Sequence, residues 1–342
     1  MAISQLLRPH DQVRFMTPYY ALAPIAGMQM SEEVAAIGDQ LLWRCNRAEW
    51  EEFESGYVFK DWHPEYYHAN PVFLFKQFDS PIPSNSLYGI FHSLARDSAR
   101  LITACRLYKT GRLLEPVYTV RFCASDKLYH RAVGAYRTEY LAMPVDGMTW
   151  TLAGDEAEDV GLIYGNLETM EQTGGTELLR SVIHQFNLSH TPAVTPYFSV
   201  HVLFTSLELL FDGVDKRVAL KTTRYERASQ VLRWGEGSRL DPAIETFYLE
   251  QAHSLRNAIH HHALRKLDVD LGEARFRLQL SLMMGIRLLM RLHRKEVEDS
   301  LIPLKTAEGW LDLGPKDFLN LCLDRHFHGD PGPLQAAMKL QV

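Results

Sequence analysis

The run Ser254-Leu255-Arg256-Asn257-Ala258-Ile259-His260-His261-His262 gathers a guanidinium, an amide and three imidazoles within seven residues. In a helix turning about 100° per residue, Asn257 and His261 are i,i+4 neighbours, and Arg256 and His260 share the adjacent stripe. One polar patch then holds Arg256, Asn257 and one or two of the histidines, while Leu255, Ala258 and Ile259 supply apolar contacts inward. These residue types suit phosphodiester chemistry. An imidazole titrating near neutral pH can take the proton of a ribose 2′-hydroxyl, and a fixed guanidinium can meet the charge that builds on the phosphate. A zinc site fits less well, because consecutive histidines on a helix diverge by about 100° and do not converge on one ion.

Other chemistry-bearing groups lack a setting. His326-Phe327-His328-Gly329-Asp330 has the H-x-H-x-D pattern of a metal-dependent hydrolase but has no sheet after it to complete a site. His63-Pro64-Glu65 has no P-C-x-x-C partner, which a zinc deaminase requires. The sequence contains no G-x-x-x-x-G-K-[ST] loop, no G-x-G-x-x-G turn and no G-x-S-x-G elbow.

The elements that must carry the patch are helices. From about Thr176 the 3.6-residue apolar period predicts five in succession: Glu177–Phe186, Tyr197–Phe211, Asp215–Leu232, Pro242–Leu264 and Gly272–Arg294, separated by turns at Asp212-Gly213, Gly235–Ser238 and Asp268–Gly272. Helices of this length on short loops predict an antiparallel bundle, with the patch near the end of its fourth helix. The first half mixes signals. Val72–Phe78, Val117–Phe122 and Tyr140–Met143 read as strands, Ser86–Arg106 reads as a helix, and together they predict an α+β region. The expected organisation is an α+β domain over 1–175, a helical bundle over 176–300 and a tail over 301–342 with one short helix near Lys316–Leu323.

The patch resembles the motif of the HEPN family of helical bundles, an Arg, usually a polar residue, and a His after a gap of four to six; Arg256, Asn257 and His261 match with a gap of four. Phe198–Phe211, with Glu208 embedded in an apolar helix, is similar to a helix of the Apea-like branch, and Ile183–His190 and Lys216–Leu232 stand in the expected order. Upstream, Arg106-Leu107-Tyr108-Lys109-Thr110-Gly111 is similar to a segment of longer members. The resemblance implies a metal-independent endoribonuclease without cofactor, of a toxin–antitoxin, anti-phage or CRISPR-linked setting, working as a homodimer whose two motifs face one RNA cleft. Some members only bind RNA or nucleotides, or serve as dimerisation scaffolds. His261 would then act as general base and acid, Arg256 would hold the phosphate, and Asn257 would orient one of them. With Arg256 at 0°, His260 lies at about 40°, His261 at about 140° and His262 at about 240°. His260 and His262 are therefore assigned to substrate contact, although His262 would also satisfy a gap of five. Glu208 is expected to support the site as an arginine's partner, because an unpaired buried carboxylate is costly.

Charge separates the two halves. Over the whole 342 residues, 36 Lys and Arg meet 42 Asp and Glu, a net of −6, which offers no broad positive field for nucleic acid. Residues 195–300 hold 16 against 14, twelve of the sixteen being arginine, so the remainder carries a net of −8. The bundle is the better candidate for a polyanion, and the acidic front half is expected to act as a sensor or restraint that contacts protein, an antitoxin or phage-derived trigger included. Cys45, Cys105, Cys123 and Cys322 are too scattered for a disulfide framework or a zinc site. Neither a secretory signal nor a membrane span is expected, so a reducing cytoplasm is the simplest home. The apolar run Phe276–Leu292 holds more leucine, isoleucine and methionine than one helix face can bury in a monomer, which predicts dimerisation.

Overall fold

The computed structural model describes residues 19–25, 27–44, 72–78, 87–111, 113, 119–124, 127–132, 150–190, 195–212, 220–236, 242–260 and 271–327. The chain divides into two units, Met1–Glu168 and Thr169–Val342. The described residues are mostly helical, with the strands confined to the first unit.

The first unit carries β1 (Tyr19–Pro24), β2 (Met28–Met30), β3 (Val34–Ile37), β4 (Gln40–Arg44), β5 (Val72–Phe78), α1 (Leu87–Tyr108), β6 (Thr119–Ala124), β7 (Lys127–Ala132), β8 (Trp150–Leu152) and most of α2 (Ala157–Gln172). Six strands form an antiparallel sheet in the order β3-β4-β5-β1-β6-β7. A separate parallel pair joins β2 to β8, Met28 opposite Trp150. Val72, Phe73, Leu74 and Phe75 are buried in succession, so both faces of β5 are covered there. α1 lies against β1 and β6 and buries every residue from Leu101 to Leu107. The α+β expectation holds for this unit, although β1 to β4 and α2 lie outside the elements it named. The strand expected at Tyr140–Met143 lies outside the described residues, as does His63-Pro64-Glu65.

The second unit contains α3 (Glu177–Leu188), α4 (Pro196–Phe211), α5 (Leu220–Glu236), α6 (Pro242–His260), α7 (Leu271–Leu292), α8 (Lys295–Ala307) and α9 (Pro315–Phe327). Thr195 caps α4 by accepting a hydrogen bond from the Phe198 amide, and Pro196 opens the helix where no amide donor is needed. α7 is the axis of the unit, touched by α3, α4, α5, α6, α8 and α9. Leu278, Leu280, Leu282, Met283, Met284, Ile286, Leu288 and Leu289 are all buried within one chain. These side chains find their partners within one chain, so their abundance does not call for a dimer. From Leu280 to Ile286 the helix is buried on every side by its neighbours, whereas Phe276 nearer its start is exposed.

Two further differences concern the bundle. Arg275 Nη2 on α7 and the Ser199 hydroxyl on α4 both donate to the Ser189 carbonyl, at 2.8 and 2.9 Å. Farther along, Gly285 of α7 lies against Leu210 and Phe211 of α4. α4 and α7 therefore run in the same direction, whereas strict alternation over four consecutive helices would oppose the first and last. The C-terminal segment has two helices where one was expected. α9 packs on α4, α5 and α7, with Asn320 Nδ2 donating to the Leu210 carbonyl at 3.2 Å and Asp324 accepting two 2.7 Å hydrogen bonds from Arg227.

Candidate functional site

α4, α5 and α6 bring the motif residues together around one carboxylate. Glu208 stands on α4 between buried neighbours Leu207 and Leu210. Its Oε1 accepts from Arg224 Nη1 at 2.9 Å, and its Oε2 lies 3.5 Å from Arg256 Nη2. Arg224 also donates through Nε to Asp212 Oδ1 at 2.6 Å. Arg256 donates through Nη1 to Asn257 Oδ1 at 3.2 Å.

The two guanidiniums are unequally engaged. The Arg224 side chain is 9 % exposed and holds two carboxylates at short distance. That of Arg256 is 31 % exposed, touches the shared carboxylate at the limit of hydrogen bonding, and has a buried Nε with no hydrogen-bond partner. A guanidinium offers five donors in a planar fork, and Arg256 uses few of them. It can still take an anion, whereas Arg224 is committed to holding α5 against α4.

A second cluster adjoins the first. Tyr225 follows Arg224 on α5, and its hydroxyl is hydrogen-bonded to His253 Nδ1 on α6. The Phe204 ring meets the His253 ring edge-on, centroids 5.3 Å apart at 89°, and lies 6.3 Å from that of Tyr225. Burial, followed by the influence of Arg224 and Glu208, sets the phenol, and the net effect raises it far above its ordinary range. Tyr225 therefore stays protonated at any physiological pH.

Arg256 reaches both Asn257 and Glu208. His260 closes α6, and His261 and His262 lie outside the described residues. His253, Arg224 and Tyr225 were not among the expected site residues. His253 had a local signal, standing three residues before Arg256 and four before Asn257 on one helix face. Arg224 and Tyr225 arrive from another helix, and no sequence spacing announces them.

Among the described residues, no group of three or more His, Cys, Asp or Glu side chains could hold a metal ion, and no helix is long and apolar enough to cross a membrane. His326 and Phe327 belong to α9; the remainder of that H-x-H-x-D run lies outside the described residues. Comparison with protein-family models, with curated proteins and with solved structures gives no match to this chain.

Proposed function

We propose that the helical unit is a metal-independent endoribonuclease of HEPN type, with Arg256 as the cation that holds the scissile phosphate. The observation carrying this reading is the under-used guanidinium of Arg256 beside a carboxylate that Arg224 already occupies. An arriving phosphate can offer Arg256 two oxygens in bidentate geometry, a stronger partner than a single carboxylate oxygen at 3.5 Å. His261 takes the 2′-hydroxyl proton and then returns a proton to the leaving 5′-oxygen, while Asn257 holds the guanidinium plane. Attack by the neighbouring 2′-oxygen needs no separately activated water, so the products are a 2′,3′-cyclic phosphate and a 5′-hydroxyl end. Two copies face one RNA cleft, since a patch on one helix contacts only one side of a phosphate. In this reading the first unit senses a trigger in a cytoplasmic toxin or anti-phage system.

The test is full-length protein with total RNA in EDTA, with the ends of the products identified. Cleavage to cyclic-phosphate ends that Arg256→Ala and His261→Ala remove, and His262→Ala leaves nearly intact, is the expected result. RNA binding without cleavage would select a non-catalytic binding module. Neither binding nor cleavage would overturn the RNA reading and leave a scaffold. Light scattering at micromolar concentration should give the mass of a dimer.

A further inference from the structure

Glu208 divides its two oxygens between two arginines. Oε1 faces Arg224 Nη1 at 2.9 Å and Oε2 faces Arg256 Nη2 at 3.5 Å, so the second contact can open while the first stays closed. Arg224 has a further carboxylate in Asp212, whereas Arg256 has the side-chain amide of Asn257. Two guanidiniums and two carboxylates cancel, and the linked group carries no net charge at rest. A phosphodiester that comes to Arg256 therefore meets a cation already faced by an anion. The Nε of Arg256 is buried, which leaves the two Nη atoms for a bidentate grip, and Nη2 is the one that Glu208 holds.

Resting on the endoribonuclease reading, we infer that Glu208 is an internal competitor for the RNA phosphate, holding Arg256 in the resting protein and yielding it when RNA binds. Arg224 makes the exchange reversible. A largely buried carboxylate left without a partner is costly, but Arg224 remains on Oε1 when Arg256 leaves Oε2, and Arg224 itself stays joined to Asp212. The arrangement restrains the site without blocking it. Glu208 sets how much RNA is needed to engage Arg256, and it takes no part in the proton transfers.

The probe is a fully 2′-O-methylated RNA oligonucleotide, which lacks the attacking hydroxyl and reports binding alone. It is titrated into full-length protein and followed by fluorescence anisotropy. Glu208→Gln keeps the shape and an acceptor oxygen for Arg224 and removes the charge. It should tighten binding about two- to five-fold, the range of a partly screened ion pair, and lower KM for cleavable RNA with kcat near wild type. A carboxylate that only positions Arg256 predicts the opposite sign, so weaker binding by Glu208→Gln overturns the inference, as does no change. In an Arg256→Ala background the gain should vanish. A gain that persists there means that Glu208 repels RNA directly and not through Arg256, and the inference falls. The reading beneath it is tested separately: if Arg256→Ala binds as tightly as wild type, the phosphate site fails and this inference with it, whereas weak binding by Arg256→Ala beside an unaltered Glu208→Gln leaves the site and removes only the competitor. Should Glu208→Gln not fold, the wild-type protein decides, because the 13C signal of the Glu208 carboxylate should move as RNA is added, and a signal unmoved at saturation overturns the proposal.

Discussion

Each unit buries an arginine among carboxylates, and the two clusters are built to different stoichiometry. In the first unit the Arg100 guanidinium, 5 % exposed, meets Glu168 at 3.1 Å, the Tyr164 hydroxyl at 3.2 Å and Asp97 at 3.8 Å. One buried cation thus answers to two carboxylates and a phenol, while Lys76 and Arg96 reach Asp97 from outside at 3.9 and 3.8 Å. In the second unit the buried Arg224 lies at short distance between Glu208 and Asp212, and the more exposed Arg256 is set against the Glu208 carboxylate as well. A carboxylate shared by two guanidiniums leaves one of them short of partners. A buried ion pair by itself says little about activity; the unequal sharing is what distinguishes a structural arginine from one able to receive a ligand.

The largest expected effect separates Arg256 from Arg224. Arg256→Ala should lower RNA cleavage by about 10²–10³-fold, the usual consequence of losing one charge-stabilising donor, while the thermal melting curve stays close to wild type. Arg224→Ala should instead lower the melting temperature, because it removes the buried partner of Glu208 and Asp212; equal loss of stability in Arg224→Ala and Arg256→Ala would erase the difference between the two arginines. In the first unit, Arg100→Met should cost about 3 kcal/mol, because it leaves the Asp97 carboxylate buried with a 3.4 Å hydrogen bond from Ser93 and the outer contacts to Lys76 and Arg96. Hydrogen exchange resolved by peptide is the suitable measurement, with faster exchange expected in α1 and α2 and none of the change in α7. Smaller again is Gly285→Ala. Its Cβ would meet Phe211 Cζ at 2.9 Å and Leu210 closer still, so overpacking between α4 and α7 should cost about 1–3 kcal/mol, read as a lower melting temperature.

The smallest effect is one of pH. Burial lowers the pKa of His293 below its ordinary 6.5, so the folded chain resists a proton that the unfolded chain accepts. Stability of the helical unit should therefore decline as pH falls below about 6.5, by less than 1 kcal/mol near pH 6, and His293→Gln should flatten that part of the profile. An unchanged slope in the variant would assign the acid sensitivity to other groups.

Legibility from sequence followed the same division. Helices α3, α4, α6 and α7 announce themselves because each carries long apolar residues at helical spacing, and one side of each must face the core. α2 carries a comparable stripe, Val160, Ile163, Tyr164 and Leu167, all buried, but Gly161 and Gly165 interrupt its helical propensity. Gly161 has a tertiary reason: a Cβ there would lie 3.1 Å from the Gly38 amide nitrogen, in a turn more than a hundred residues earlier. β2 and β8 have three residues each, too few for an alternation to declare itself. At the site, Arg256, Asn257 and Glu208 were legible from type and spacing. The pairing of Arg224 with Glu208 and of Tyr225 with His253 depends on how α5 lies against α4 and α6, a tertiary relation that no single segment contains.

The β2–β8 pairing also bears on how the protein is born. Met28 is joined to Trp150, and the Ser31 amide and hydroxyl both donate to the Leu152 carbonyl. At about 5–20 residues per second, a ribosome needs roughly 6–24 s to add the 121 residues that separate these partners. During that interval Met28 and Met30 have no β8 to pair with. Slower translation across residues 45–150 would lengthen that interval without changing a single native contact, and a lower yield of folded protein from a slowed message is the outcome expected.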